Sequence, residues 1–97
     1  MPTYVTLFKW TEQGIKTIKD VPARFEAAKK LVESTGGKML GLYVTMGDCD
    51  VVAVIEGPND EVASAVALSI ALKGNVKTTT MRAFTESEFA QIVKKVV

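Results

Sequence analysis

The chain contains no histidine and only one cysteine, Cys49. Without histidine it cannot build the mixed cysteine and histidine sites that hold zinc, and it has no proximal histidine for haem. A single cysteine cannot form a disulfide within the chain. We therefore expect no metal and no cofactor, and several classes of enzyme are removed at once.

An excess of charge of one sign is also missing. Twelve lysine and arginine residues stand against eleven aspartate and glutamate residues, and the two signs are interspersed, for a net charge of +1. One tryptophan and scattered lysines fall short of the basic and aromatic stripe typical of nucleic-acid binding. The composition thus gives no support for a nucleic-acid partner or for an anionic lipid surface.

Long hydrophobic runs are absent as well. The longest apolar stretch, residues 62–72, is shorter than the roughly 20 residues needed to cross a bilayer. The N-terminal residues lack a basic region followed by an apolar run, which is the pattern of a secretory signal. We expect a cytoplasmic protein with no membrane partner.

What the sequence does have is a hydrophobic content of 47% in 97 residues, enough for one core, so residues 1–97 are predicted to form a single domain. Residues 3–10 alternate between two sides with the period of a strand, and Asp20 followed by Pro22 marks a helix start. The glycine pair at 36 and 37 ends that helix. Turn and capping signals then predict strands at 38–46, 50–56 and 76–84, a helix between Asn59 and Gly74, and a last helix opened by a capping box.

The order of these elements is βαββαβ followed by one helix. This order is typical of an α+β ferredoxin-like sandwich with an antiparallel sheet in the order 4-1-3-2. Two helices would cover one face of the sheet, and the alternation predicts Tyr4, Phe8, Val52 and Val54 on the other. Each large apolar side chain left in solvent would lose roughly 1.5 to 3 kcal/mol of stabilisation from burial, so a second copy packed sheet to sheet is expected. We therefore predict a homo-oligomer, a dimer or larger.

A set of motifs runs along almost the whole chain: Phe8 to Thr11 with Gly14, the glycine pair at 36 and 37, Gly47 to Asp50 leading into Val51 to Val54, Glu56 to Pro58, Gly74 to Val76, and Arg82 to Phe84. In their order and spacing these motifs resemble the GYD domain family of small bacterial and archaeal proteins. The resemblance implies a ferredoxin-like, dimeric α+β barrel type of fold and no established reaction, substrate or cofactor. The glycine and aspartate of the family name correspond to Gly47 and Asp50, and Cys49 replaces the tyrosine.

Asp50, at the mouth of the third strand, is the first candidate site residue. The predicted sheet order brings it close to Phe8 and Trp10, and an aromatic wall with a carboxylate is how a small ligand pocket begins. Asp50 could bind a ligand or act as a base, or it could accept backbone N–H groups in the turn. Cys49 lies between two acids, which disfavour its thiolate, so we expect an inert thiol.

The second candidate site is a polar row of Tyr4, Glu56 and Arg82 at the opposite end of the sheet. These three side chains share one face if no bulge intervenes. They could bind an anionic group through Arg82, or Glu56 and Arg82 could form an ion pair at the rim of a dimer.

Three functions remain open on the sequence alone. The first is a homo-oligomeric binding or scaffolding module that holds a small ligand. The alternative is a cofactor-independent enzyme of the dimeric α+β barrel type, such as a small monooxygenase or isomerase. The third is a structural role in a larger assembly, indicated by the uncharged second helix. No pair of nucleophile and base can be assembled from this composition, and this favours a non-enzymatic module.

Overall fold

A computed structural model describes all 97 residues as a four-stranded antiparallel sheet with helices. The strands are β1 Thr3–Trp10, β2 Lys38–Val44, β3 Val51–Glu56 and β4 Val76–Ala83, and the helices are α1 Glu12–Lys16, α2 Val21–Ser34, α3 Asp60–Ala71 and α4 Glu86–Val93. The strand order is β2-β3-β1-β4, which is the predicted order read from the other edge. The ferredoxin-like α+β fold is therefore confirmed.

Local signals set the ends of the helices as the sequence indicates. A 3-10 turn, Ile18–Asp20, leads into α2, which carries its proline in the first turn and is followed by Gly36 with a φ of 85°. The Asn59 side chain caps α3 by accepting a hydrogen bond from the Val62 N–H at 2.9 Å. Thr85 and Glu88 form the predicted capping box at the start of α4.

The core lies between the sheet and the helices α2 and α3. Its buried hydrophobic side chains are Tyr4, Phe8, Val32, Val51, Ala53, Ile55, Ala63 and Val66. Tyr4 and Phe8 therefore face the helices, and the prediction that they lie on the uncovered face is wrong. Tyr4 pairs with Ile55 and Phe8 with Val51, so each shares a face with a core residue of β3.

The opposite face of the sheet carries Val5, Leu7, Val52, Val54 and Met81, and we call these five residues the open face. Val5 lies between Val54 and Met81, and Leu7 lies beside Val52. Both α2 and α3 pack on the other side of the sheet, so these side chains are only half-buried or, for Met81, exposed. The prediction that Val52 and Val54 lie on the uncovered face is confirmed.

The molecule is longer than a compact domain of its size. Its longest dimension is 50 Å and its radius of gyration is 14.5 Å, against about 12.5 Å for a compact chain of this length. Phe89 and Val93 of α4 are more than half exposed, so this helix leaves apolar side chains in solvent.

No helix combines the length and the apolar character that crossing a bilayer requires.

Candidate functional site

An apolar cavity of about 240 Å³ lies between the sheet and helices α2 and α3. Of its 23 lining residues 18 are hydrophobic, which is the usual character of a small-molecule site. Phe8 and Trp10 are among them, so the aromatic wall predicted from the sequence does border a cavity. Whether the two side chains bind a ligand stays a prediction.

Small side chains explain why this space is open. Helix α2 brings Ala27 and Ala28 to the cavity, and helix α3 brings Ala63 and Ala67. Protein interiors are normally packed to the density of organic crystals, so four alanines on the facing helices leave a gap that larger residues would close. The cavity was not predicted from the sequence, and these four alanines are the only feature of the sequence that could have indicated it.

Two of the lining residues carry charge, Arg24 and Lys73, and both are cations. The Arg24 Nη2 donates hydrogen bonds to the Thr17 carbonyl, to the Thr17 hydroxyl at 3.1 Å and to the Gly14 carbonyl at 3.4 Å. Its Nη1 is buried and has no hydrogen-bond partner. A buried donor without a partner is rare, and such a group calls for an explanation.

The segment around α1 contacts both Arg24 and the backbone of Lys73, at one end of the cavity. A Cβ added to Gly14 would lie 2.0 Å from the Asn75 carbonyl oxygen, so the backbones touch there. The same oxygen accepts a hydrogen bond from the Thr11 N–H at 3.0 Å. Gln13 Nε2 donates to the Lys73 carbonyl at 2.9 Å. Glycine is therefore required at position 14 for α1 to join β4, and Arg24 binds that same segment.

Asp50 does not line the cavity. Its Oδ2 accepts a hydrogen bond from the Trp10 N–H at 2.8 Å, and its own N–H donates to the Phe8 carbonyl at 2.8 Å. The carboxylate thus continues the hydrogen bonding between β1 and β3 one step beyond their last paired residues. Asp50 is expected from the sequence either to act on a ligand or to accept backbone N–H groups in the turn. This geometry supports the role of acceptor, but the N–H that it accepts belongs to β1 and not to the turn. Cys49 is half-buried, with its Sγ 3.5 Å from the Thr45 hydroxyl.

The predicted row of Tyr4, Glu56 and Arg82 does not form. Tyr4 pairs with Arg82, whereas Glu56 pairs with Thr3, one residue away along β1. Neighbouring residues of a strand point to opposite faces, so Glu56 lies on the other side of the sheet. The predicted ion pair between Glu56 and Arg82 is therefore wrong.

Arg82 interacts instead with aromatic rings and with α4. Its guanidinium lies 4.7 Å from the centroid of the Phe84 ring and 5.8 Å from that of Tyr4, and its Nη2 is 3.7 Å from Glu88 Oε2. Backbone and side-chain hydrogen bonds with Thr85 lower the pKa of Glu88, and Arg82 adds to this shift. Arg82 is therefore occupied in joining β4 to α4.

The Tyr4 hydroxyl donates a hydrogen bond to Asp60 Oδ1 at 2.5 Å. Burial, with the hydrogen bond to Asp60 as the next cause, raises the pKa of Tyr4 to about 12. This phenol stays protonated at neutral pH and ties β1 to the start of α3. No three side chains that could ligate a metal ion come together.

A sequence model of the GYD domain matches residues 4–93. Among characterised proteins, the chain is similar to a glutamine synthetase and cystathionine beta-lyase binding protein of Thermus thermophilus, with 31% identity over 84 residues. That alignment covers 86% of this chain and 88% of the relative.

Solved structures share the fold. A feast or famine regulatory protein from Mycobacterium tuberculosis, complexed with L-methionine, superposes with a TM-score of 0.66 at 14% identity, covering 88% of this chain and 51% of that one. This chain thus spans about half the length of that regulator. A protein from Thermus thermophilus superposes with a TM-score of 0.55 at 21% identity, covering 88% of this chain and 95% of the other. The family match extends over nearly the whole sequence, and the chain belongs to the GYD domain family.

Proposed function

We propose that this protein is a non-catalytic binding module that acts as a homo-oligomer, with two copies paired through their open faces. The observation that carries the proposal is the open face itself. Its five apolar side chains form one contiguous patch on two central strands and one edge strand, and no element of the chain covers them.

A second copy fits this face for two reasons. A pair related by a two-fold axis buries the same patch twice, so each side chain contributes to the interface in both copies. Charged residues also lie at both ends of the face, because Lys9 pairs with Lys77 at one end and Glu56 lies at the other. An apolar centre with a polar rim is the usual anatomy of a protein interface.

A protein partner is proposed from the relative in Thermus thermophilus. That relative is named for binding glutamine synthetase and cystathionine beta-lyase, and we extend to this chain the role of binding a metabolic enzyme. The outer side of α3 is a surface suited to such contact, because Leu68 and Leu72 are 70% and 87% exposed and residues 62–72 contain no charge. The cofactor-independent enzyme gains no support, since no carboxylate, thiol or phenol lines the cavity.

The test is the change of Val54 to lysine. Val54 is central on the open face, and each copy of the dimer would bring one lysine into the apolar interface. Burial of a large apolar side chain contributes roughly 1.5 to 3 kcal/mol, and the dimer contains two copies of Val54. We therefore expect the dissociation constant of the dimer to rise by about 100-fold or more. Sedimentation equilibrium measures this constant. Ser34→Lys adds the same charge to the exposed end of α2 and serves as the control.

A wild-type protein that sediments as a monomer at high concentration would overturn the pairing. So would a Val54→Lys variant that dimerises as tightly as Ser34→Lys. Binding of the wild-type protein to immobilised glutamine synthetase and cystathionine beta-lyase tests the partner separately, and a paired module that binds neither enzyme would refute that part of the proposal alone.

A further inference from the structure

We propose that the cavity between the sheet and helices α2 and α3 binds a small carboxylic acid with an apolar body, whose carboxylate pairs with Arg24. This site lies on the other side of the sheet from the open face, so it does not depend on how the copies pair. No residue of the open face lines it.

The size and lining of the cavity set the apolar part of the ligand. A dry cavity of about 150 Å³ lined by aliphatic and aromatic side chains is enough to bind benzene. The present volume of about 240 Å³ exceeds this, and three aromatic rings, those of Phe8, Trp10 and Phe25, contribute to the walls. A body of about ten non-hydrogen atoms fits such a space.

The charged residues of the lining determine the head group of the ligand. Arg24 and Lys73 are its only charged residues, and no acid accompanies them. A ligand with a negative head group is therefore complementary to the cavity, whereas an ammonium compound would meet two like charges.

Arg24 is held ready for such a head group. Its Nη2 is already bound to Thr17 and Gly14, so the guanidinium is fixed in place, and the buried Nη1 has no hydrogen-bond partner. A carboxylate oxygen is the acceptor that forms short, charge-assisted hydrogen bonds with guanidinium. One nitrogen without a partner suits a single carboxylate better than a phosphate, whose larger charge needs several donors to offset its desolvation.

The experiment is titration calorimetry of the full chain with octanoate and with 1-octanol, which share an alkyl chain and differ in the head group. We expect octanoate to bind at least about tenfold more tightly than 1-octanol, as a charge-assisted hydrogen bond provides. Arg24→Gln should remove that difference and leave the binding of 1-octanol unchanged. Ala67→Leu, which fills the cavity, should abolish the binding of both compounds.

Ala65→Leu is the matched control, because Ala65 lies on the same helix but is exposed and outside the cavity. This variant should bind octanoate like the wild type. Equal affinity of the wild type for octanoate and 1-octanol, or the absence of binding by either, would overturn the proposal. Octanoate binding that survives in Ala67→Leu would overturn it too, and this result remains decisive if Arg24→Gln fails to fold.

Discussion

Replacing Asp50 with alanine separates a structural role of this carboxylate from a role in binding. The change removes the acceptor of the Trp10 N–H, a half-buried hydrogen bond of 2.8 Å to a charged group. Such bonds contribute roughly 1.5 to 3 kcal/mol to stability, so we expect the free energy of unfolding to fall by about 2 kcal/mol. For a domain of this size that loss corresponds to a decrease of about 8 to 16 °C in Tm.

Urea unfolding followed by tryptophan fluorescence is the natural assay. Trp10 is the only tryptophan, and its own amide makes the hydrogen bond. Asp50→Asn keeps a neutral oxygen acceptor and should lose about half as much stability. Asp48→Ala is the control, because Asp48 belongs to the same loop and is exposed.

A single result would refute this assignment. If Asp50→Ala is as stable as Asp48→Ala, the carboxylate does not stabilise the pairing of β1 with β3, and the structural role is refuted. If Asp50→Ala loses stability as expected and still binds octanoate, the cavity works without this carboxylate, as its position outside the lining requires.

Two further changes probe the elements that frame the cavity. Gly14→Ala would place a Cβ 2.0 Å from the Asn75 carbonyl oxygen, so backbone must move, and we expect a loss of about 2 kcal/mol or more in urea unfolding; an unchanged midpoint would contradict the close approach. Tyr4 keeps its proton in the folded state up to a pKa of about 12, whereas in the unfolded chain it loses it near 10. Its contribution is therefore complete below about pH 10 and is lost as the pH rises from 10 towards 12. Tyr4→Phe should lack this part of the loss of stability at high pH, whereas the wild-type protein should show it.

The fold could be predicted because its signals are local. Pro22 and Gly36 mark the two ends of α2, the Asn59 cap starts α3, and each acts within a few residues of its own position. The order of the resulting strands and helices along the chain then indicates the ferredoxin-like topology. The sequence could not decide which face of the sheet the helices cover, since alternation defines two sets of residues without ranking them.

The error over Tyr4 and Phe8 follows from that ambiguity. Both sets on β1 are apolar, with Val5 and Leu7 on one face and the two aromatic residues on the other. The error over Glu56 has a different cause, because the partner of a residue across a sheet depends on register, and a shift of one residue reverses the face. The cavity escaped prediction because it results from small side chains on two helices that are distant in sequence.

The two proposed surfaces share β3 and yet remain independent. Val52 and Val54 point to the open face, while Val51, Ala53 and Ile55 point to the core and line the cavity. A second copy seated on the open face would therefore leave the end of the cavity near Arg24 free. For this reason a small acid could occupy each copy of a paired module, and the loss of either function by substitution would leave the other measurable.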